Sequence, residues 1–296
     1  MSWPGSWPIR SPRRPIACDG AAPHARNGRS FDRPLAKGRT GLSDLSAFSL
    51  TGKRILVTGA NTGIGQGIAL SVARAGGAVI GVGRSAMDDT AGKVAAAGGS
   101  FEAVKADLGD PAGAAAMLDR VWNESGPLDG LVNNAGIIRR SDAIGLSEAD
   151  WDDVIDVNLK TVFRLCQGFA RRVLAEPGRR GKIVNIASVL SFQGGIRVAS
   201  YTASKHGVLG LTRLLACEWA AKGINVNGIA PGYIETNNTE ALRADPDRSA
   251  AILGRIPAGR WGRPEDIGDA AVFLLAPASD YMHGAVVPVD GGWLAR

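Results

Sequence analysis

Short apolar runs alternate with longer segments of helical periodicity along most of the chain. The first run, KRILVTG at 53–59, ends in glycine as a buried parallel strand does, and a segment with helical spacing follows it. Six further runs of this kind lie at 78–83, 101–108, 128–136, 181–188, 224–232 and 285–292. Helical segments separate them, including those at 148–175, 201–221 and 264–276.

This alternation predicts an α/β fold. Seven strands that alternate with helices form one doubly wound parallel sheet of the Rossmann type, because right-handed crossovers place helices on both faces. No change in composition marks a second domain after residue 47, so residues 47–296 are predicted to form a single domain.

The first 46 residues differ from the rest of the chain. They mix Pro, Gly, Arg and Ser without a sustained period, which predicts a disordered tail that is either a targeting segment or the product of a misplaced start codon. Their eight basic and three acidic residues account for +5 of the net charge of +6. The predicted domain is therefore nearly neutral, and nucleic-acid binding would be confined to the tail.

The composition argues against several other classes of protein. No apolar run reaches the roughly 18 residues of a membrane span, and a hydrophobic fraction of 45% with 21% charged residues is typical of a soluble globular protein. The three cysteines and three histidines show no spacing typical of a disulfide framework or a metal site. We expect a cytoplasmic protein without a metal.

A glycine-rich loop follows the first predicted strand. TGANTGIG at 58–65 has glycines at 59, 63 and 65. Ligands of doubly wound sheets bind beyond the carboxyl ends of the strands, and glycines let the backbone approach a pyrophosphate at the start of the next helix. The position of the loop predicts a dinucleotide site.

The stretch SYTASKHG at 200–207 places Tyr201 and Lys205 one turn apart on one helix face. A tyrosine hydroxyl has a reference pKa of about 10, and a nearby ammonium group favours the phenolate and is expected to lower that pKa. Tyr201 would then act as general base in alcohol oxidation or general acid in ketone reduction. Ser188, at the end of the fifth predicted strand, is placed to hold the substrate oxygen, with Ser191 as a competitor for that role.

Four motifs give the chain from about Phe48 to Arg296 its resemblance to the short-chain dehydrogenase/reductase family. They are TGANTGIG at 58–65, NNAG at 133–136, YTASK at 201–205 and PG at 231–232. The resemblance implies that Asn158 bends its helix and holds a water in a proton relay with Lys205, which also binds the nicotinamide ribose. It implies a homotetramer as well, formed through the helices that contain Asn158 and Tyr201. The implied catalytic residues are Asn158, Ser188, Tyr201 and Lys205.

The same resemblance implies a set of cofactor-binding residues, in which Asp107 contacts the adenine ring. The set is Gly59, Asn61, Thr62, Gly63, Ile64, Gly65, Arg84, Asp107, Leu108, Asn134, Ala135, Gly136, Tyr201, Lys205, Pro231, Gly232, Ile234 and Thr236. Relatives that prefer NAD often carry an Asp at the end of the second strand, where this chain has Gly83 followed by Arg84. Arg84 either binds the 2′-phosphate of NADP, stacks on adenine or is solvated. The cofactor is therefore NAD or NADP.

Longer stretches resemble one subgroup of the family, the 2-dehydro-3-deoxy-D-gluconate 5-dehydrogenases, also called 2-deoxy-D-gluconate 3-dehydrogenases. These stretches lie at 133–140, 191–205, 230–239, 255–262 and 290–296. The subgroup is NAD-linked and implies hydride transfer between NAD(P) and a keto or hydroxyl group of a deoxy sugar acid. Such an acid needs a cation for its carboxylate and hydrogen-bonding groups for its hydroxyls. The expected substrate-binding residues are Arg139, Arg140, Ser188, Gln193, Arg197, Asn237 and Asn238.

Several alternatives remain at this point. Each arginine of the substrate set would serve equally well in a surface or subunit salt bridge. A gluconate 5-dehydrogenase or a 3-oxoacyl-carrier-protein reductase would share the four catalytic residues, although the loop arginines disfavour an acyl chain. A nucleotide-sensing regulator would share the fold without needing those residues.

Overall fold

The computed structural model describes residues 45–296, and residues 1–44 of the predicted tail lie outside the described part. Within the described residues, seven strands form one sheet in the order β3-β2-β1-β4-β5-β6-β7, and every neighbouring pair is parallel. The strands are β1 (Arg54–Thr58), β2 (Ala78–Gly83), β3 (Phe101–Lys105), β4 (Gly130–Asn133), β5 (Gly181–Ile186), β6 (Ile224–Pro231) and β7 (Val286–Val289). The predicted fold, a single Rossmann-type domain, is confirmed.

Helices connect the strands, and three follow β6 before the chain reaches β7. The helices of the described part are α1 (Gly63–Arg74), α2 (Asp88–Ala96), α3 (Pro111–Glu124), α4 (Glu148–Ile155), α5 (Thr161–Ala175), α6 (Ala199–Trp219), α7 (Asn237–Ala244), α8 (Pro246–Leu253) and α9 (Pro264–Leu275). Local chemistry fixes several of their ends. Asp110 accepts a hydrogen bond from the Ala112 amide at the start of α3, and the turn after α6 ends at Gly223, whose φ is +83°.

Both faces of the sheet are buried. Side chains alternate along β1, so Ile55 and Val57 pack under α1 and α9, whereas Leu56 packs against α3 and α5. A strand buried on both faces has no polar side, which is why β1 appears in the sequence as an unbroken apolar run.

The structure corrects several predicted boundaries, including that of the last strand, which is predicted at 285–292 and is found at Val286–Val289. The strands predicted at 101–108 and 128–136 end at Lys105 and Asn133, because the residues after them turn over the carboxyl edge of the sheet. The helix predicted at 148–175 is interrupted by a π-helical segment, Asp156–Lys160. π-Helical turns of this kind occur mostly as single insertions within α-helices.

Neither a membrane-spanning helix nor a metal-binding group of side chains is found among the described residues. No helix in residues 45–296 is long and apolar enough to cross a bilayer. No group of three or more His, Cys, Asp and Glu side chains in this part of the chain is arranged to hold a metal ion.

Candidate active site

A cleft of about 1180 Å³ lies at the carboxyl ends of the strands. The strand order reverses between β1 and β4, and ligands of doubly wound sheets bind at such a switch point. Every predicted site residue lines the cleft except Asn158 and Arg197. The fold therefore brings nearly all of the predicted cofactor and substrate residues into one cavity.

The glycine loop has the backbone geometry that a pyrophosphate site needs. Gly59 and Gly63 have φ values of +68° and +55°, which other residues rarely adopt. A Cβ atom on Gly65 would overlap the carbonyl oxygen of Gly59. Since α1 begins at Gly63, the free amides of its first turn lie at the loop and favour a negative group.

Thr58 fixes the glycine loop to the NNAG segment. Its hydroxyl donates to the Val132 carbonyl at 3.2 Å and accepts from the amides of Asn134 and Ala135 at 2.9 and 3.0 Å. The Asn134 side chain donates in return to the Thr58 carbonyl at 2.8 Å. Sequence reasoning included Thr58 in the motif but gave it no role, because only the pairing of β1 with β4 brings the two loops together.

The end of β2 holds the residues that bear on cofactor preference. Asn61 donates to the Ser85 hydroxyl at 2.9 Å, and a Cβ atom on Gly83 would lie 3.2 Å from the Asn61 side-chain oxygen. Arg84 is exposed at the cleft and has no carboxylate within ion-pair distance in residues 45–296. This corner offers a cation and hydroxyl or amide groups instead of the acid that would bind ribose hydroxyls.

Tyr201 and Ser188 meet at the base of the cleft. Burial raises the pKa of Tyr201, while hydrogen bonding by Ser188 and the positive charge of Arg140 act in the opposite direction. The expectation that the pKa of Tyr201 lies below its usual value is not met, because burial outweighs the hydrogen bond of Ser188 and the charge of Arg140. Ser191 is occupied elsewhere, since its hydroxyl donates to the Lys205 carbonyl at 2.7 Å.

Lys205 lies beneath the tyrosine and is 4% exposed. Its Nζ atom donates to the Ile186 carbonyl at 2.6 Å and lies 5.6 Å from the centroid of the Tyr201 ring. Burial lowers the pKa of Lys205 to about 8. The ammonium therefore gives up its proton more readily than an exposed lysine does.

Asn158 lies behind the cleft within the π-helical segment and is fully buried. Its side-chain oxygen accepts from the Ile137 amide at 2.9 Å, and its nitrogen donates to the Ile137 carbonyl at 3.0 Å and to the Ser204 hydroxyl at 3.2 Å. Asn158 thus ties the loop after β4 to α6. The π-helical segment interrupts the helix at Asn158, and both the bend and the proton relay through Asn158 stay predictions.

The predicted substrate arginines differ in their availability. Arg139 lines the cleft but pairs with Asp150 at 3.2 Å and Asp153 at 2.9 Å. Arg197 pairs with Asp142 at 3.3 Å and lies outside the cleft lining, which corrects its predicted place. The Arg197 side chain therefore forms a surface salt bridge, which was the alternative to substrate binding considered for each arginine.

Arg140 and the polar loop residues keep their predicted place. Gln193, Asn237 and Asn238 line the cleft together with Arg140, whose Nη2 atom donates to the Asn238 carbonyl at 3.4 Å. Within residues 45–296, no carboxylate lies within ion-pair distance of Arg140. Of the three predicted arginines, this one has a charge available for a substrate.

The cleft wall also contains residues that were not singled out from the sequence, among them four that bear on substrate binding. They are Tyr233, Arg248, Arg255 and Trp293. Tyr233, Arg255 and Trp293 lie in stretches that carry the subgroup resemblance. The spacing of residues along the chain does not indicate that α8 and the last turn of the chain line the same cavity. The Tyr233 ring packs between the rings of Trp261 and Trp293, at centroid distances of 5.7 and 4.7 Å.

Comparison with known proteins places this geometry among reductases and dehydrogenases. A family model described as enoyl-(acyl carrier protein) reductase matches residues 59–294. The 2-dehydro-3-deoxy-D-gluconate 5-dehydrogenases of Escherichia coli and Dickeya dadantii are 57% and 56% identical to the chain over 252 residues, which are 85% of this chain and 99% of each relative. A crystal structure from Agrobacterium tumefaciens, provisionally assigned as a 2-deoxy-D-gluconate 3-dehydrogenase with bound NADP, is 61% identical. It superposes with a TM-score of 0.80 and covers 84% of this chain and 99% of that one.

Proposed function

The chain belongs to the short-chain dehydrogenase/reductase family, and we propose that it oxidises and reduces a deoxy sugar acid as a 2-dehydro-3-deoxy-D-gluconate 5-dehydrogenase. It is an oxidoreductase that uses NAD(P). The observation that carries the proposal is the convergence of the glycine loop, Ser188, Tyr201 and Lys205 on one cleft. Two relatives with this activity, each more than half identical over almost their whole length, support the choice of substrate.

The residues divide the chemistry among them. The nicotinamide ring supplies the hydride acceptor or donor when bound. Ser188 holds the substrate oxygen by a hydrogen bond, and Tyr201 removes or returns the proton of that oxygen. Arg140 places positive charge near the tyrosine, which favours the phenolate that forms as the proton leaves the substrate alcohol, and Lys205 lies beneath the tyrosine ring.

The cleft fits a dinucleotide by its shape and charge. The missing Cβ atoms at Gly59 and Gly65 let the glycine loop pack closely on itself and on Asn134. The backbone amides at the start of α1 are then available to a pyrophosphate. We propose that Arg84, with Asn61 and Ser85, accepts the 2′-phosphate of NADP, so that NADP is used as well as NAD. The NADP in the Agrobacterium relative supports this assignment, while the absence of an acid at Gly83 removes the usual contact for NAD ribose hydroxyls.

The proposal is tested by nicotinamide absorbance. Purified protein is offered 2-dehydro-3-deoxy-D-gluconate, gluconate or a 3-oxoacyl thioester, each with NAD or NADP in the chemically suitable oxidation state. We expect turnover with the deoxy sugar acid at a kcat/KM at least tenfold above the other two. Turnover of gluconate or of the thioester alone would assign the site to the corresponding rival activity.

The assembly is proposed on separate grounds. Trp151, Leu174 and Leu214 are 40%, 45% and 50% exposed on α4, α5 and α6, the helices implied in subunit packing. We propose a homotetramer in the cytoplasm, where the free thiols of Cys166 and Cys217 would persist. Light scattering of the purified protein would give the mass of the assembly.

A further inference from the structure

The cleft has a second cationic wall, formed by Arg248 and Arg255. Both side chains line the cavity, and neither has a carboxylate within ion-pair distance in the part of the chain that the structure describes. Burial raises the pKa of Tyr233, and the charges of Arg255 and Arg248 act in the opposite direction. Tyr233 lines the same cavity, so two guanidinium groups and a phenol contribute to this part of the cleft.

This wall is held in place by aromatic packing. The guanidinium carbon of Arg255 lies 4.1 Å from the centroid of the Trp293 ring, which in turn contacts the ring of Tyr233. A guanidinium that stacks on a ring keeps its N–H donors in a fixed plane, so less entropy is lost when they bind an anion. Arg255 is thus ordered before any ligand arrives.

The wall is also joined to the catalytic segment. Val189, the residue after Ser188, is buried in a cluster with Ile256 and Trp293. Arg255 directly precedes Ile256 in the chain. The cationic wall and the serine that holds the reacting oxygen are therefore connected through a few buried contacts, which fixes the position of one relative to the other.

The chemistry of the proposed substrate calls for two separated sites. In 2-dehydro-3-deoxy-D-gluconate the reacting carbon is C5, whereas the carboxylate is C1, at the other end of the carbon chain. Arg140 lines the cleft, and its charge acts on Tyr201, so we assign it to the reacting end. Arg139 and Arg197 are paired with aspartates. A carboxylate at the far end needs cations that are not committed elsewhere, and Arg248 and Arg255 are such cations.

We propose that Arg248 and Arg255, with the Tyr233 hydroxyl, bind the carboxylate of the sugar acid while Arg140 lies at its reacting end. This rests on the proposed function for the identity of the substrate. The pair makes the site specific for acids over neutral sugars. It orients the chain so that C5, rather than C4 or C6, meets the catalytic residues.

The test compares the acid with its neutral carboxamide. Binding of each to the enzyme with reduced cofactor, where no alcohol can be oxidised, is measured by calorimetry for wild type, Arg248→Gln and Arg255→Gln. Charge-assisted hydrogen bonds of the usual strength predict a loss of acid affinity of about tenfold or more in each variant. Carboxamide affinity is expected to stay within about threefold. Arg243→Gln, in α7 and outside the cleft lining, is the control for the same change of net charge.

Kinetics provide the second readout. A carboxylate contact that persists from ground state to transition state predicts a higher KM with kcat within about threefold of wild type. Two outcomes would overturn the assignment of the carboxylate to this wall. In one, Arg248→Gln and Arg255→Gln lose affinity for the acid and the carboxamide equally. In the other, they lose no more affinity for the acid than Arg243→Gln does. A third outcome separates the two proposals. If wild type binds the acid more tightly than the carboxamide through these arginines but does not turn the acid over, the proposed function is wrong and the carboxylate site remains supported.

Discussion

The Nζ atom of Lys205 donates a 2.6 Å hydrogen bond to the carbonyl oxygen of Ile186. This bond joins α6 to the last residue of β5, two positions before Ser188. Ser188 follows β5 and Tyr201 lies in α6, so Lys205 connects the two elements that carry these side chains. The arrangement requires a buried ammonium, and the free energy of folding depends on its protonation.

The first prediction concerns that pH dependence. Lys205 has a pKa of about 8 in the folded protein, against 10.5 for the exposed group. Between these values the unfolded chain binds more protons than the folded one, so the lysine's contribution to the free energy of unfolding increases as the pH rises through this window. Below pH 8 both states are protonated and the cost of burying the charge is fully present. From pH 7 to 9.5 the contribution grows by about 2 kcal/mol.

Denaturant unfolding of wild type and Lys205→Met at pH 7 and 9.5 measures this contribution. The free energy of unfolding of wild type minus that of the variant should be larger at pH 9.5 than at pH 7 by about 2 kcal/mol. Groups other than Lys205 titrate in both proteins and cancel in the comparison. The same pH dependence in both proteins would mean that Lys205 is not desolvated as the structure indicates.

Tyr201→Phe removes the proton-transferring hydroxyl and keeps the ring. We expect kcat to fall by about 10²-fold to 10⁴-fold, the range for loss of a general acid or base. Because Tyr201 is also an implied cofactor contact, any decrease in NADPH affinity measured by fluorescence is expected to be far smaller than the decrease in kcat. Tyr281→Phe is the matched control, because Tyr281 is fully exposed at a distance from the cleft lining. A variant that keeps more than a tenth of wild-type kcat would remove Tyr201 from the mechanism.

Arg84→Gln tests the assignment of the 2′-phosphate site. Loss of charge-assisted hydrogen bonds should raise the KM for NADP by about tenfold or more, whereas the KM for NAD should change by less than about threefold. Both are measured from initial rates with the same sugar acid. A parallel change for the two cofactors would show that Arg84 contacts adenine, which NAD and NADP share.

Gly65→Ala tests the close backbone approach in the glycine loop. The added methyl group would overlap the Gly59 carbonyl, so the loop has to shift, and overpacking of this kind costs about 1–3 kcal/mol. We expect a lower midpoint of thermal unfolding and a loss of cofactor affinity of about tenfold or more, because the pyrophosphate site is built from the same backbone.

Gly92→Ala is the control for that variant. Gly92 lies inside α2, and a Cβ atom there meets no atom within 4 Å. Alanine at such a position is expected to stabilise the helix by about 0.5–1 kcal/mol and to leave cofactor binding unchanged. If both variants lose cofactor affinity equally, the effect does not come from the contact between Gly65 and Gly59.

The sequence by itself determined the fold and pointed to the residues that we propose as the reacting groups. Strands buried on both faces, such as β1, are continuous apolar runs, and helices have a different period, so the α/β alternation is local information. The glycine loop and the four-residue spacing of Tyr201 and Lys205 are local as well. Each is fixed by the backbone conformation of one short segment.

Only the tertiary structure decided which charges are free and where they lie. Arg139 and Arg140 are neighbours in the chain, yet the first pairs with two aspartates of α4 and the second lines the cleft without such a pair. Arg248, Arg255, Trp293 and Tyr233 line one cleft because Ile252 of α8 and Trp293 of the last turn pack into the same cluster as Val189. Pairing and desolvation depend on contacts between distant segments, and these contacts leave no periodic pattern in the sequence.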